Sequence, residues 1–237
     1  MRGEALLQHV EARHGAACDI VRLMCGRFTL TSRDVDLVAR ALSAEVDIES
    51  ARLYRPRWNV APTDRHWIVR LEGNRRRMVP ARFGFHGRDG KLVINARSET
   101  AARLPMFREP FVDGRCLVPA DGFYEWQGGR GERRPLWFHD PAGQILSFAG
   151  LAAERDGELA FVILTTAADG IVAEVHDRMP AVLAAEAAQA WLSRGDAALL
   201  APAPDGFVAR PVSTKVNVVA NDGPELLEPH EPQLKLL

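Results

Sequence analysis

Beyond residue 24, apolar and polar positions alternate over short runs through most of the chain, and two stretches show helical spacing instead. Alternation marks half-buried strands, and a repeat of three to four marks an amphipathic helix. The first run is "CGRFTLTS". Behind it, "DVDLVARALSA" carries apolar residues at helical spacing, and Ser32 stands where a helix N-cap would. "RPRWNVAPT" reads as an extended loop between prolines. "HWIVRLEGNRRRMVPARFGF" predicts a hairpin turning at Gly73 and Asn74, and "GRDGK" predicts a second turn leading into "LVINARSET". "RCLVPADGFYEWQ" predicts two strands around a turn. "RRPLWFHD", "ILSFAGLAA", "LAFVILTTAA" and the late "VSTKVNVVAN" predict one strand each, and "AEAAQAWLSR" is the second clear helix. Many strands with few peripheral helices imply an α+β single domain around a largely antiparallel, barrel-like sheet.

Composition narrows this little. The 237 residues are 47% hydrophobic and 26% charged, which suits one globular domain with a sizeable core. No apolar run reaches the roughly 18 residues that a membrane span needs, so no membrane partner is expected. Residues 1 to 24 are not a secretory signal, since Glu4, Glu11 and Asp19 interrupt their apolar stretches. Cys18, Cys25 and Cys116 are an odd set without a CxxC pair, which argues for a reducing cytoplasm and against a disulfide framework or zinc site. Charge matters more through its distribution than its sum of −1. Between Arg52 and Arg115 there are 15 Arg or Lys against 6 Asp or Glu, half of all 30 basic residues. Such an excess could line a groove for a polyanion, or be an ordinary solvated surface.

Four polar groups stand beside residues that set local structure. Cys25 opens the first strand; Asn95 and Arg97 lie in "NARSET"; Glu125 lies among aromatics in "ADGFYEW"; His176 lies in "VHDRMP". Each also has a plain structural reading. A cysteine on a strand serves as a small core residue. Glu125 can alternate outward, His176 and Asp177 can be surface charges, and Asn95 can form a turn. Cys116 has a structural reading alone.

Taken in order, "CGRF", "RWNVAP", "NARSET", "RCLVPADGFYEW", "FAGL", "HDRMP" and "VNVVANDGPELL" extend across nearly the whole chain after Met24. The set resembles the SOS-response-associated peptidase family, also called abasic-site processing proteins. The resemblance implies that Met24 is the working start. Residues 1–24 would then be a leader or an upstream start absent from the active protein, and 25–237 the family domain. An N-terminal Cys25 is a 1,2-aminothiol, with an amine pKa near ~8 and a thiol pKa near ~8.5. Its amine can condense with an aldehyde and its thiol can then close a thiazolidine on the same carbon. An internal Cys25, whose nitrogen is an amide, cannot.

The family's aldehyde is the ring-opened sugar of an abasic site in single-stranded DNA. On the matching motifs, Cys25 would be the nucleophile, His176 the general acid on the sugar ring oxygen, and Glu125 the proton shuttle. Asn95 would hold the chain terminus or the sugar. Arg27, Arg97 and Arg178 would pair with phosphates, and Trp58 and Asn59 belong to the same DNA-binding set. The resemblance implies no metal or cofactor, a monomer, and a cytoplasmic protein that meets the nucleoid when on DNA. One departure stands out. Where many members carry a Trp and then an aromatic loop, this chain has Phe83 and the short "HGRDGK". That predicts weaker recognition of junctions between single- and double-stranded DNA, unless Trp58, Phe85 or His86 substitutes. A cysteine hydrolase, acting on peptides or only on its own leader, and a non-catalytic single-strand binder remain as alternatives.

Overall fold

The computed structural model describes residues 26–129, 133–200 and 206–229. The first half runs β1 (Phe28–Leu30), α1 (Val35–Ala41), α2 (Ile48–Leu53), β2 (Arg57–Val60), β3 (Arg65–Glu72), β4 (Arg75–Phe83), β5 (Phe85–His86), β6 (Leu92–Val93), β7 (Asn95–Arg97), α3 (Ser98–Ala101) and α4 (Arg108–Asp113). The second half runs β8 (Arg115–Ala120), β9 (Gly122–Gln127), β10 (Arg134–His139), β11 (Leu146–Arg155), β12 (Glu158–Ala167), α5 (Gly170–Ala173), β13 (Arg178–Pro180), α6 (Ala185–Arg194) and β14 (Val208–Pro211). The chain is an α+β domain, as its patterning predicts.

Strands β11, β8, β3, β4 and β12 follow one another in a sheet, and β11 also pairs with β12, which closes these five into a ring. β13 and β7 extend from β12. A second sheet has the order β14-β10-β9-β1-β2. Among the named ladders, β12 is parallel to β4 and to β7, and the rest are antiparallel. The two faces of the ring bury different clusters. Ile68, Phe83, Val118, Phe148 and Phe161 meet Phe28, Phe123 and Phe138 of the second sheet. Val69, Leu117, Leu151, Val162 and Leu164 meet Val38, Trp191 and Leu192 of α1 and α6. Cover on both faces explains why "AFVIL" in β12 is a continuous apolar run rather than an alternating one.

Three local expectations change. Helix α1 is capped by Asp34, whose carboxylate accepts from the amides of Asp36 and Leu37 at 2.9 and 3.1 Å. Ser32 lies two residues too early and bonds Asp34 instead. "RWNV" is a strand, β2, because it finds β1 as a partner. The expected strand "VSTKVNVVAN" is a 3₁₀ turn over Thr214–Asn217 that the Ser213 hydroxyl caps at the Lys215 amide. Local side-chain bonding there competes with a sheet ladder and wins.

Cys116 is fully buried on β8, where burial pushes its thiol far above the ordinary range and leaves it chemically inert. Among the described residues, no helix is long and apolar enough to cross a membrane, and no group of His, Cys, Asp or Glu is arranged to hold a metal ion.

Candidate active site

Strands β1 and β9 bring the start of the domain to its acidic centre. Asp121, at the bend between β8 and β9, accepts from the Thr29 hydroxyl at 2.5 Å and from the Thr31 amide and hydroxyl at 2.5 and 2.6 Å. The Tyr124 amide donates to the Arg27 carbonyl at 3.0 Å. This lock sets Gly26 and Arg27 beside Glu125. Gly122 is required for it, because a Cβ there would stand 2.3 Å from the Trp137 indole nitrogen. That nitrogen donates to the Thr29 hydroxyl at 3.0 Å.

A second arm comes from the β12–β13 connection. The His176 amide donates to Val172 of α5 at 2.9 Å, and Ala168 donates to the Asp177 carbonyl at 3.0 Å. These bonds, with the β12–β13 ladder from Thr165↔Pro180 to Ala167↔Arg178, fix the "HDRMP" turn. Two partners meet at His176 Nδ1: the Arg178 amide at 3.1 Å and the Asp177 carboxylate at 2.9 Å. The amide suits a neutral imidazole whose Nδ1 accepts, which leaves the proton on Nε2. The carboxylate suits a ring that carries a proton on Nδ1.

The two arms face one cavity of about 890 Å³, within the range that takes a small-molecule-sized ligand. Gly26, Arg27, Glu125 and His176 line it, with Trp126, Arg133, Asn217 and Val219 among the other walls. Glu125 is 3% exposed. Trp126 donates its indole N–H to Asn217 Oδ1 at 2.7 Å, joining β9 to the 213–222 segment.

The remaining candidates divide. Cys25 lies outside the described residues; Gly26, which follows it, is buried and lines the cavity. Asn95 sits at the start of β7 opposite Ile163 of β12, and Arg97 is exposed on the same strand. Arg178 is buried, and its guanidinium grips the Glu99 carboxylate at 2.5 and 2.8 Å and the Thr165 carbonyl at 2.6 Å. Asn59 is fully buried and spends its amide inside the protein. Arg27 donates to Asn59 Oδ1 and to the Val216 carbonyl at 2.8 and 2.9 Å, and burial lowers its pKa from the ordinary value. Trp58 is half-buried, and its carbonyl accepts from the Tyr124 hydroxyl at 2.8 Å. Neither Phe83 nor Phe85 is available for stacking on a base. Phe83 stacks on Phe161 at 5.1 Å, and Phe85 is buried beneath Arg155. His86 is exposed and bonded to Asp156 at 2.8 Å. Sequence reasoning passed over Trp126, Arg133, Asn217 and Val219. Trp126 carried a signal, standing beside Glu125 in a quoted motif, but Asn217 and Val219 sat in a stretch read as a strand.

The Arg178–Glu99 pair gives one expected pH effect. The Arg178 hydrogen bonds hold the Glu99 carboxyl at about 2, below its ordinary 4.5. A depressed folded-state pKa stabilises fully above the unfolded value and is lost as pH falls from about 4.5 towards 2. Glu99→Gln should therefore flatten the acid limb of a melting-temperature profile in that window. The change should be modest, because the Glu99 side chain is 51% exposed and solvent screens it.

The model of the family described as SOS response associated peptidase matches residues 24–219. The chain belongs to the SOS-response-associated peptidase family. Among curated members it is 35% identical over 225 residues to the abasic site processing protein YedK of Escherichia coli, covering 87% of this chain and all of that one. It is 33% identical over 226 residues to YoqW of Bacillus subtilis, another abasic site processing protein, with the same coverage. It is 34% identical to HMCES of Gallus gallus over 85% of this chain and 64% of that one. Two solved structures place the family fold. A phage-related protein of Bordetella bronchiseptica has a TM-score of 0.64 at 30% identity, over 79% of this chain and 94% of that one. A Bacteroides thetaiotaomicron protein has a TM-score of 0.73 over 87% and 100% at 22% identity, a likeness of fold alone.

Proposed function

We propose that this family member captures abasic sites in single-stranded DNA as a covalent thiazolidine on Cys25, after residues 1–24 are removed. The observation that carries the reading is the convergence of Gly26, the residue that follows Cys25, with Glu125 and His176 on one cavity. The nucleophilic nitrogen and sulfur would come from one residue, the shuttle from strand β9 and the acid from the turn before β13.

The chemistry proceeds in balanced steps. An Nε2 proton of His176 reaches the sugar ring oxygen as its bond to C1 breaks, and the C1 hydroxyl gives up its proton, which opens the hemiacetal to its aldehyde. The Cys25 amine attacks that carbon, and water leaves to give an imine. The Cys25 sulfur adds to the same carbon, the nitrogen takes up a proton, and a five-membered ring closes. Glu125 moves protons at the nitrogen and sulfur. Its near-complete burial keeps it away from bulk solvent. Ring closure removes the imine, which would otherwise acidify the neighbouring sugar carbon and invite strand scission. Arg97 and Arg133, both exposed, would meet flanking phosphates. The internal bonds of Arg27, Asn59 and Arg178 suit them to shaping the site.

The test mixes protein beginning at Cys25 with a single-stranded abasic oligonucleotide. The expected result is a heat-stable covalent band whose mass is that of both components less one water. Cleaved peptide substrate without a band would establish a cysteine hydrolase instead. A reversible gel shift alone would establish a plain single-strand binder.

A further inference from the structure

The segment from Ser213 to Asp222 supplies one wall of the cavity, through Asn217 and Val219, yet it has little regular structure. One side chain reaches three of its backbone carbonyls from beneath. Asn59 Nδ2, fully buried, lies 3.3, 3.2 and 2.8 Å from the carbonyls of Val216, Val218 and Asn221. Two N–H groups serve three acceptors, so at least one is shared. On its other side, Asn59 Oδ1 accepts from Arg27 at 2.8 Å, and the same Arg27 nitrogen donates to the Val216 carbonyl at 2.9 Å. Asp222 ends the segment. Its carboxylate accepts from the amides of Trp58 and Asn59 at 2.6 and 2.9 Å and also from Arg57. The held carbonyls of Val216 and Val218 alternate with the two residues that face the cavity. Asn217 then reaches back to Trp126, beside Glu125.

From this geometry we infer that Asn59 is a positioning residue: it shapes the 213–222 wall so that the wall meets the DNA strand around the abasic sugar, and it touches no substrate itself. The inference rests on the abasic-DNA reading of the cavity. It assigns Asn59 to the substrate's fit rather than to direct contact with phosphate or base. A buried amide is suited to this task because its donors and acceptor lie in one plane at fixed separation. A carboxylate in the same volume keeps the acceptor towards Arg27 but turns an oxygen towards three carbonyls. Asn59→Asp therefore removes the mould while leaving a partner for Arg27.

The experiment uses protein beginning at Cys25 and two single-stranded oligonucleotides. One carries an abasic site. The other carries a tetrahydrofuran at that position, which has no aldehyde and reports binding alone. In folded Asn59→Asp, half-saturation on the tetrahydrofuran strand should rise about ten-fold, the scale of losing one well-made hydrogen bond network member. The maximal single-turnover crosslinking rate should stay within about two-fold, the signature of lost binding rather than lost chemistry. Asn217→Ala, an exposed change at the wall itself, should raise half-saturation in the same direction. In the double variant the two effects should fall short of their product, because both act through one wall. The inference is overturned by unchanged half-saturation in folded Asn59→Asp, by full multiplicativity, or by a fall in maximal rate alone. If Asn59→Asp does not fold, an unchanged half-saturation in Asn217→Ala overturns it. Wild-type protein that binds the tetrahydrofuran strand more tightly than Asn59→Asp does but never crosslinks would sink the thiazolidine chemistry and support the positioning role.

Discussion

Cys25→Ala in protein that begins at residue 25 should abolish covalent capture of abasic DNA at every time of incubation, while reversible binding of the same strand persists. No other residue on this chain would offer an amine and a thiol on adjacent carbons. The companion variant is a chain that keeps residues 1–24, with the peptide bond before Cys25 made resistant to processing. It too should form no thiazolidine, although its thiol is intact, because an amide nitrogen has no basic lone pair to attack the aldehyde. Intact mass reads both. A crosslink on protein that still carries residues 1–24 would refute the aminothiol mechanism and leave thiol addition as the covalent step.

The second large effect is on rate. His176→Ala should slow crosslinking by about 10²–10⁴-fold, the usual worth of a positioned general acid or base. Its final extent should be unchanged, because the imidazole is absent from the overall balance. A substrate that is already an open-chain aldehyde should recover most of the lost rate, since ring opening is the step assigned to this proton. His176→Gln separates acid from shape, keeping a donor near Nε2 without a transferable proton. Equal slowing of closed and open-chain substrates would move His176 to a later step, and full speed in both variants would remove it from the mechanism.

The strands were legible where burial is one-sided or where a run is long enough to be covered twice, as in β3, β4 and β12. The separation of β8 and β9 into different sheets was not. "RCLVPADGFYEWQ" reads as two strands around a turn, and the pairing of β8 with β11 and of β9 with β1, together with the Asp121 bonds to Thr29 and Thr31, shows that the chain bends there to change sheets. Glu125 and His176 could be named from the motifs alone, because their motifs are several residues long. Their meeting on one cavity depends on contacts between strands far apart in sequence. Arg178 and Asn59 show the limit most clearly. Both are polar residues in prominent motifs, and whether such a group faces a ligand or the protein depends on partners such as Glu99 and Val216, which lie 79 and 157 residues away.

Strand β12 pairs with β11, β4, β7 and β13, so the ladder that carries the His176 turn is woven into the most highly connected of the described strands. That side is held by strand pairing: three β12–β13 pairs, Thr165↔Pro180 to Ala167↔Arg178, anchor the turn to the ring. The opposite side, residues 213–222, has no such ladder: side-chain bonds hold it, together with Val216 packed among Tyr124, Trp137 and Val212. On the proposed function the cavity is an anvil and a jaw: the acid would be mounted on the laddered side, and the DNA strand would be gripped from the side that side chains hold.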